Sequence, residues 1–386
     1  MHISPFFAAA TVASLSIAAY GAPVSSGLLS DSVVRLIEQR LDQSATDTWT
    51  AGTAMEALLE LEYPSCSVFS SSPYPPPSDV TPSKVQSLVE TWASERPSGT
   101  SQLAYVNGGA AGDPPALGIG WLVAAAFADP ATNATYMSQA KQQVEYLLDV
   151  VPRSADGAIS HRPPDEPVSL WADFVSMVPP FLAYFGVATS DQSYLSEAYN
   201  QIKLYRNHLK SDSGAWKHIV LGDGQDPGLW NTGNGWAAYG SLRVLATMQN
   251  SEWAGEFTSE MGDLTAWVQE IVGAAFQKIK SDRLLPNYYD SASGSSFSDA
   301  SGSALLAASA YRLAQLTGDT SFVSKADTVR TAVFAAVDRS TGWLAPVVNP
   351  LSFKAQANQS PEGEAFVLLL QAAYRDYAAG ASARRP

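Results

Sequence analysis

Apolar positions along this chain recur at intervals of three and four rather than two. Tyr136, Ala140, Val144 and Leu147 step by four, four and three, which places them on one face of a helix. The same spacing predicts helices over 30–43, 50–62, 83–95, 115–128, 133–150, 168–187, 191–210, 234–249, 256–279, 301–317, 320–337 and 361–378. Strand signals are sparse. Trp216–Leu221 (WKHIVL) and Trp343–Val348 (WLAPVV) are short enough to be small hairpins. Loops rich in Gly, Pro, Ser and Asp, such as SSSPYPPPSDVTPS and YDSASGSSFSDASGS, separate the helices.

No helix of this set reads as apolar all round, but several carry a broad apolar face. Stacked helix hairpins bury such faces, either as an open solenoid or as a closed ring. A solenoid usually shows a repeated signature, and none is found. The pattern therefore predicts an all-α (α/α)6 barrel, a six-hairpin toroid, forming one domain over 22–386. The Pro-rich segment 71–82 reads as a long loop, because the sequence before it is too short for a separate domain. The tail AAGASARRP reads as frayed.

Composition adds location and excludes partners. The segment PFFAAATVASLSIAAYGAP is too short for a membrane span and reads as the core of a signal peptide over residues 1–21, with Ala19 and Gly21 at the small-residue positions. A secreted protein is expected, with no membrane attachment after cleavage. The sequons at Asn133 and Asn358 fit glycosylation, Asn133 lying in an expected loop and Asn358 followed closely by Pro361. A formal net charge of −14 argues against nucleic-acid binding. Ten Trp and 16 Tyr suit either sugar stacking or a large core. Cys66 is the sole cysteine, which excludes an internal disulfide and reads as a buried apolar residue.

Four stretches combine polar and aromatic residues at helix starts. In NGGAAGDPPALGIGW (107–121), Asp113 precedes two prolines and reads either as an N-cap or as a site carboxylate. In ISHRPPDEPVSLWADFVSMVPPFLAYFG (159–186), His161 and Arg162 stand in a loop, while Asp173 falls inside an apolar helix. Burial there would raise its pKa, as a general acid requires; the alternative is a partly exposed aspartate paired with a cation. In GAWKHIVLGDGQDPGLWNTGNGW (214–236), His218 sits on an expected strand, and Trp230 and Trp236 flank a glycine-rich helix mouth. The fourth, DASGSALLAASAYRLA (299–314), is a small-residue helix start able to approach a ligand. Phosphate-binding Gly-Lys-Ser/Thr loops, HExxH and GxSxG are absent from the sequence. Few histidines and no cysteine cluster speak against a transition-metal site; calcium held by carboxylates stays open, though no EF-hand spacing is present, and no cofactor is expected.

Together these stretches resemble the unsaturated rhamnogalacturonyl hydrolases of glycoside hydrolase family 105 and the related unsaturated glucuronyl hydrolases of family 88, within the six-hairpin glycosidase superfamily. The matching pieces are GDPPALGIGWLVAAAF, LWADFVSMVPPFLAYFG, KHIVLG followed by LWNTGNGWAAYGSLRVLA, and SGSALLAASAYRLA, in order over 105–378. The resemblance implies an (α/α)6 barrel acting on an oligosaccharide as a monomer. It makes Asp173 the general acid and Asp113 a second active-site aspartate, and it places His218 and Trp230 at the sugar pocket. It further implies protonation of a 4,5-unsaturated uronate at C4, addition of water at C5, and rearrangement that expels the neighbouring sugar. Trp230 or Trp236 would stack on the ring, with Gly233 and Gly235 allowing its close approach. The chain departs from the pattern at Thr232, where relatives commonly carry an arginine suited to a uronate carboxylate. Either another cation such as Arg162 serves that group or the substrate differs. Ordinary hydrolysis of a saturated glycoside by Asp113 and Asp173, a catalytically inactive carbohydrate-binding relative, and a sugar epimerase are the competing readings.

Overall fold

The computed structural model describes residues 27–105, 109–163, 168–291 and 296–383. The expected signal segment, 1–21, lies outside them. Among the described residues, twelve helices follow one another: α1 (Asp31–Ser44), α2 (Thr48–Leu61), α3 (Ser83–Glu95), α4 (Gly118–Phe127), α5 (Pro130–Glu145), α6 (Phe174–Thr189), α7 (Ser193–Leu209), α8 (Asn231–Asn250), α9 (Thr258–Phe276), α10 (Ala300–Thr317), α11 (Val323–Ala336) and α12 (Pro361–Ala383). The even-numbered helices touch in the order α2, α4 with the 3₁₀ turn Pro114–Leu117 before it, α6, α8, α10 and α12, and α12 returns to α2. That contact closes an inner ring of six helices. The odd-numbered helices lie outside it and complete the (α/α)6 toroid.

Burial separates the two layers. Outer helices bury one stripe: Val33, Ile37 and Leu41 on α1, and Val85 and Val89 on α3. Inner helices are buried around nearly their whole circumference, although none reads as apolar all round. Their sequences look insufficiently apolar because they bury polar side chains as well. On α8 these include Asn231, Thr232, Asn234, Ser241, Arg243 and Thr247. Towards the far end of the lumen, Glu60 accepts from Arg243 Nη2 (3.0 Å) and from Arg312 Nη2 (2.8 Å). Arg312 Nη1 also donates to Asp376 (2.7 Å), and Arg243 pairs with Glu56. These partners compensate charges that would otherwise be costly to bury.

Three small antiparallel pairs decorate the opposite end: β1 (Leu170–Trp171) with β2 (Ile219–Val220), β3 (Leu285–Pro286) with β4 (Ser298–Asp299), and β5 (Val347–Asn349) with β6 (Ser352–Ala357). The β1–β2 pairing corrects the expected helix at 168–187. Trp171 is held extended opposite Ile219, so α6 cannot begin before Phe174 and Asp173 becomes its N-cap residue. Asn133 lies in α5, not a loop, and its Nδ2 donates to Ala125 O (2.7 Å). The expected frayed tail is helical to Ala383. Cys66 is buried. No described helix is long and apolar enough to cross a membrane.

Candidate active site

All six inner helices direct their N-termini to the same end of the ring. Trp49 stands in the first turn of α2, and Asp113 immediately precedes the turn leading to α4. Asp173 and Trp230 occupy the N-cap positions of α6 and α8, Asp299 that of α10, and Glu362 the first turn of α12. Converging helix N-termini favour negative charge in the space between them. A cavity of about 300 Å³ opens there. Trp49, Asp113, His161, Arg162, Trp171, Asp173, Met177, Trp230, Phe353 and Glu362 line it, and the β5–β6 turn adds Pro350 and Leu351.

Two carboxyls face two histidines here. Asp113 makes no side-chain capping bond, so the N-cap alternative is not realised; its Oδ1 lies 3.5 Å from His161 Nε2. Asp173 likewise leaves its helix uncapped, and its Oδ2 lies 3.5 Å from His218 Nε2. Burial, reinforced by the charge of Asp173, pushes the Asp113 carboxyl up to about 7. Asp113 therefore holds its proton up to near neutrality.

The histidines differ because their surroundings differ. Burial lowers His161 to about 4 and keeps it neutral. Its ring stacks on Trp171 with centroids 5.1 Å apart, and its carbonyl accepts from Ala111 N (2.9 Å) and Gly112 N (3.1 Å). A side chain at position 112 would collide with the imidazole, so glycine there lets the Asp113 loop lie against His161. His218 is fully buried, yet its pKa is raised: burial opposes the charge, but the contacts with Asp173 and Asp226 outweigh it. Asp226 approaches His218 Nδ1 at 3.2 Å and also accepts from the Tyr288 hydroxyl. The pKa of Asp226 is depressed, because these hydrogen bonds overcome the effect of burial.

The remaining expected site residues divide. Trp230 reaches the cavity, but its ring is covered by His218 (centroids 4.3 Å apart) and Phe353 (5.1 Å), and its Nε1 donates to Asn287 Oδ1 (2.9 Å). The more accessible aromatic faces belong to Trp49 and Trp171, and Arg162 lies 5.6 Å from the centre of the Trp171 ring. Trp236 is not in the wall. Helix α8 starts at Asn231, earlier than expected, because Asn234 bonds both backbone groups of Trp216 and the Trp230 carbonyl. Trp236 therefore falls in the second turn, where it packs on Phe366.

Thr232 is also outside the cavity wall. It is fully buried, and its Oγ1 donates to Asp299 Oδ2 (3.0 Å). Gly233 and Gly235 serve protein packing rather than ligand approach: an added Cβ would press on Trp230 and Ala172 at the first and on Leu305 at the second. The small residues at the start of α10 likewise admit α8, since Gly302 lies against Asn231.

Sequence reasoning missed Asp226, Trp49, Phe353 and Glu362. Asp226 sits in a turn-rich loop, and Glu362 looks like an ordinary acidic residue in a helix's first turn. Only their placement distinguishes them. Trp171 was the legible omission, being an aromatic beside Asp173 in the same stretch.

A helical toroid whose ring of helix N-termini holds paired carboxyls among tryptophans defines a carbohydrate-active hydrolase. The chain belongs to Glycosyl Hydrolase Family 88, whose family model matches residues 117–326. No curated protein matches the sequence. Solved structures share the fold. A possible member of glycoside hydrolase family 105 from Salmonella enterica serovar Paratyphi A superposes with a TM-score of 0.71 at 17% identity, covering 89% of this chain and 93% of that one. A family 105 glycoside hydrolase from C. acetobutylicum gives 0.68 at 13% identity, covering 89% and 99%. An unsaturated glucuronyl hydrolase from Bacillus sp. GL1, described as responsible for glycosaminoglycan degradation, gives 0.60 at 15% identity, covering 88% and 94%.

Proposed function

We propose that this glycoside hydrolase removes a 4,5-unsaturated uronic acid from the non-reducing end of lyase-generated oligosaccharides of the pectin or rhamnogalacturonan type, acting as a secreted monomer. The observation that carries the reading is the carboxyl pair Asp113 and Asp173, with the Asp226–His218 pair behind Asp173. In this mechanism Asp173 gives its proton to C4 of the double bond. The carboxylate so formed faces the His218 imidazolium, which stabilises it. Water adds at C5 and returns its second proton to the carboxyl pair. The resulting hemiketal opens to a ketone, and the hemiacetal left at C1 expels the neighbouring sugar as an alcohol. Asp113, its own carboxyl raised to about 7, orients the water. Trp49 and Trp171 offer the stacking faces, and Arg162 is the cation at the wall for the uronate. Secretion rests on the apolar segment before residue 22.

The test is incubation with lyase-digested pectin, glucuronan and glycosaminoglycan fragments, following both the ultraviolet absorbance of the double bond and new reducing ends. Double-bond loss by the wild type and its absence in a folded Asp173→Asn variant is the expected result. Release of sugar from saturated oligosaccharides with the double bond untouched would overturn the reading in favour of ordinary glycoside hydrolysis.

A further inference from the structure

We propose that Glu362 is a substrate-orienting hydrogen-bond donor: Trp49 fixes one oxygen of its carboxyl group, and the other, carrying the proton, binds the carboxylate of an acidic sugar in the cavity. The inference rests on the reading above only in taking the substrate to be a uronide.

Glu362 lines the cavity and is 4% exposed. Its Oε1 accepts from Trp49 Nε1 at 2.7 Å. Its Oε2 is buried and has no hydrogen-bond partner among the described residues, which is costly unless a ligand supplies one. Helix capping does not explain it, because Ser360 Oγ already accepts from Gly363 N (3.2 Å). Asp113, Asp173 and Asp299 face Glu362 from the loop before α4 and from the N-caps of α6 and α10, with Arg162 and neutral His161 elsewhere on the same wall. On its own helix, Glu364 turns aside to accept from Leu344 N (2.8 Å). Burial first, and then these three aspartates, hold the Glu362 carboxyl protonated up to about 8, against the opposing bond from Trp49.

A neutral acid of this kind can donate where a carboxylate cannot. An anionic acceptor makes that bond stronger, so a uronate is preferred over a neutral sugar. The assignment also accounts for Thr232. That residue is spent on Asp299 and cannot hold a substrate carboxylate, so Glu362 on α12 joins Arg162 in that task.

Glu362→Gln and Glu362→Leu separate the alternatives. The amide of Glu362→Gln can accept from Trp49 with its oxygen and still donate into the cavity. Binding of glucuronate and galacturonate, each against its neutral parent sugar, is measured by titration calorimetry for all three proteins, together with KM and kcat on an unsaturated uronide from pH 5 to 9. Melting temperatures confirm that each variant is folded. The wild type should prefer uronates and weaken as pH rises through about 8. Glu362→Gln should lose that alkaline weakening, and Glu362→Leu should bind uronates about tenfold more weakly, the scale of one charge-assisted hydrogen bond. Three outcomes would overturn the proposal: uronate binding by Glu362→Leu at wild-type strength, equal binding of neutral and acidic sugars by the wild type, or a collapse of kcat in Glu362→Gln with KM unmoved. Uronate binding with these variant effects but no double-bond loss would defeat the hydration mechanism and leave this proposal standing.

Discussion

Asp226 Oδ2 lies 3.2 Å from His218 Nδ1, on the side of the imidazole opposite Asp173. The ring is therefore a buried bridge between a carboxylate outside the cavity wall and one within it. Replacing Asp226 by Asn removes one of the two charges that raise the pKa of His218. The imidazolium should then deprotonate at lower pH, and the alkaline limb of kcat/KM should move down with it. The expected loss of kcat is about 10- to 100-fold, taking as a guide the range for carboxylates that orient metal-bound histidines. A pH-rate profile, with imidazole titration by NMR, checks both parts; an unmoved limb would show that His218 does not support the reaction.

Thr232→Ala should cost stability and leave KM alone. The side chain bonds Asp299, which is otherwise satisfied by Asn231, Ser301, Gly302 and Val348 at the start of α10. Loss of one buried hydrogen bond that leaves its partner unsatisfied costs about 1–3 kcal/mol. Denaturant melts and steady-state kinetics measured together test the separation.

Glu60→Ala strands two arginines inside the ring. With Arg243 and Arg312 both buried and both bonded to Glu60, the expected loss is about 3–5 kcal/mol. Chemical denaturation should register this as an earlier midpoint, whereas Glu60→Gln keeps part of the hydrogen bonding and should fall between.

Stability should decline as pH rises from about 6.5 to 8. Glu362 and Glu364 are pushed up to about 8 by burial, and Asp113 to about 7. Such carboxyls bind protons in the folded state that the unfolded chain has already released, so stability falls with pH until the folded values are passed. His218, raised by its carboxylates, acts in the same direction, since its contribution is lost as pH passes its folded pKa. His161, lowered to about 4, works oppositely, but only below the unfolded histidine value near 6.5. A series of thermal melts across this interval should show a falling midpoint, and a flat profile between pH 6.5 and 8 would contradict the neutral state of these acids.

The helices were legible in the sequence because each hairpin repeats the same problem of burying one face. All twelve appear, and the largest boundary error, at α6, came from a two-residue strand pair whose partner lies almost fifty residues away along the chain. Asp113, Asp173, His161, Arg162 and Trp230 could be picked out because polar or aromatic residues at apolar helix starts are unusual, and the cavity gathers all five. Trp236 and Thr232 misled for a physical reason. A shift of three residues in the start of α8 turns a mouth position into a core position, since it moves a side chain nearly one helical turn along the axis. Glu362 and Asp226 were invisible because their local sequence fits ordinary caps and turns.

The ring of helix N-termini means that each inner helix contributes to the working surface where it begins. No contiguous peptide carries the site, and a fragment short of one hairpin would lose both a wall of the cavity and the contact that closes the circle. Conversely, a substitution at one of these starting positions alters one sector of the sugar seat while the helix beneath it stays packed. Specificity in this architecture can therefore be rewritten sector by sector.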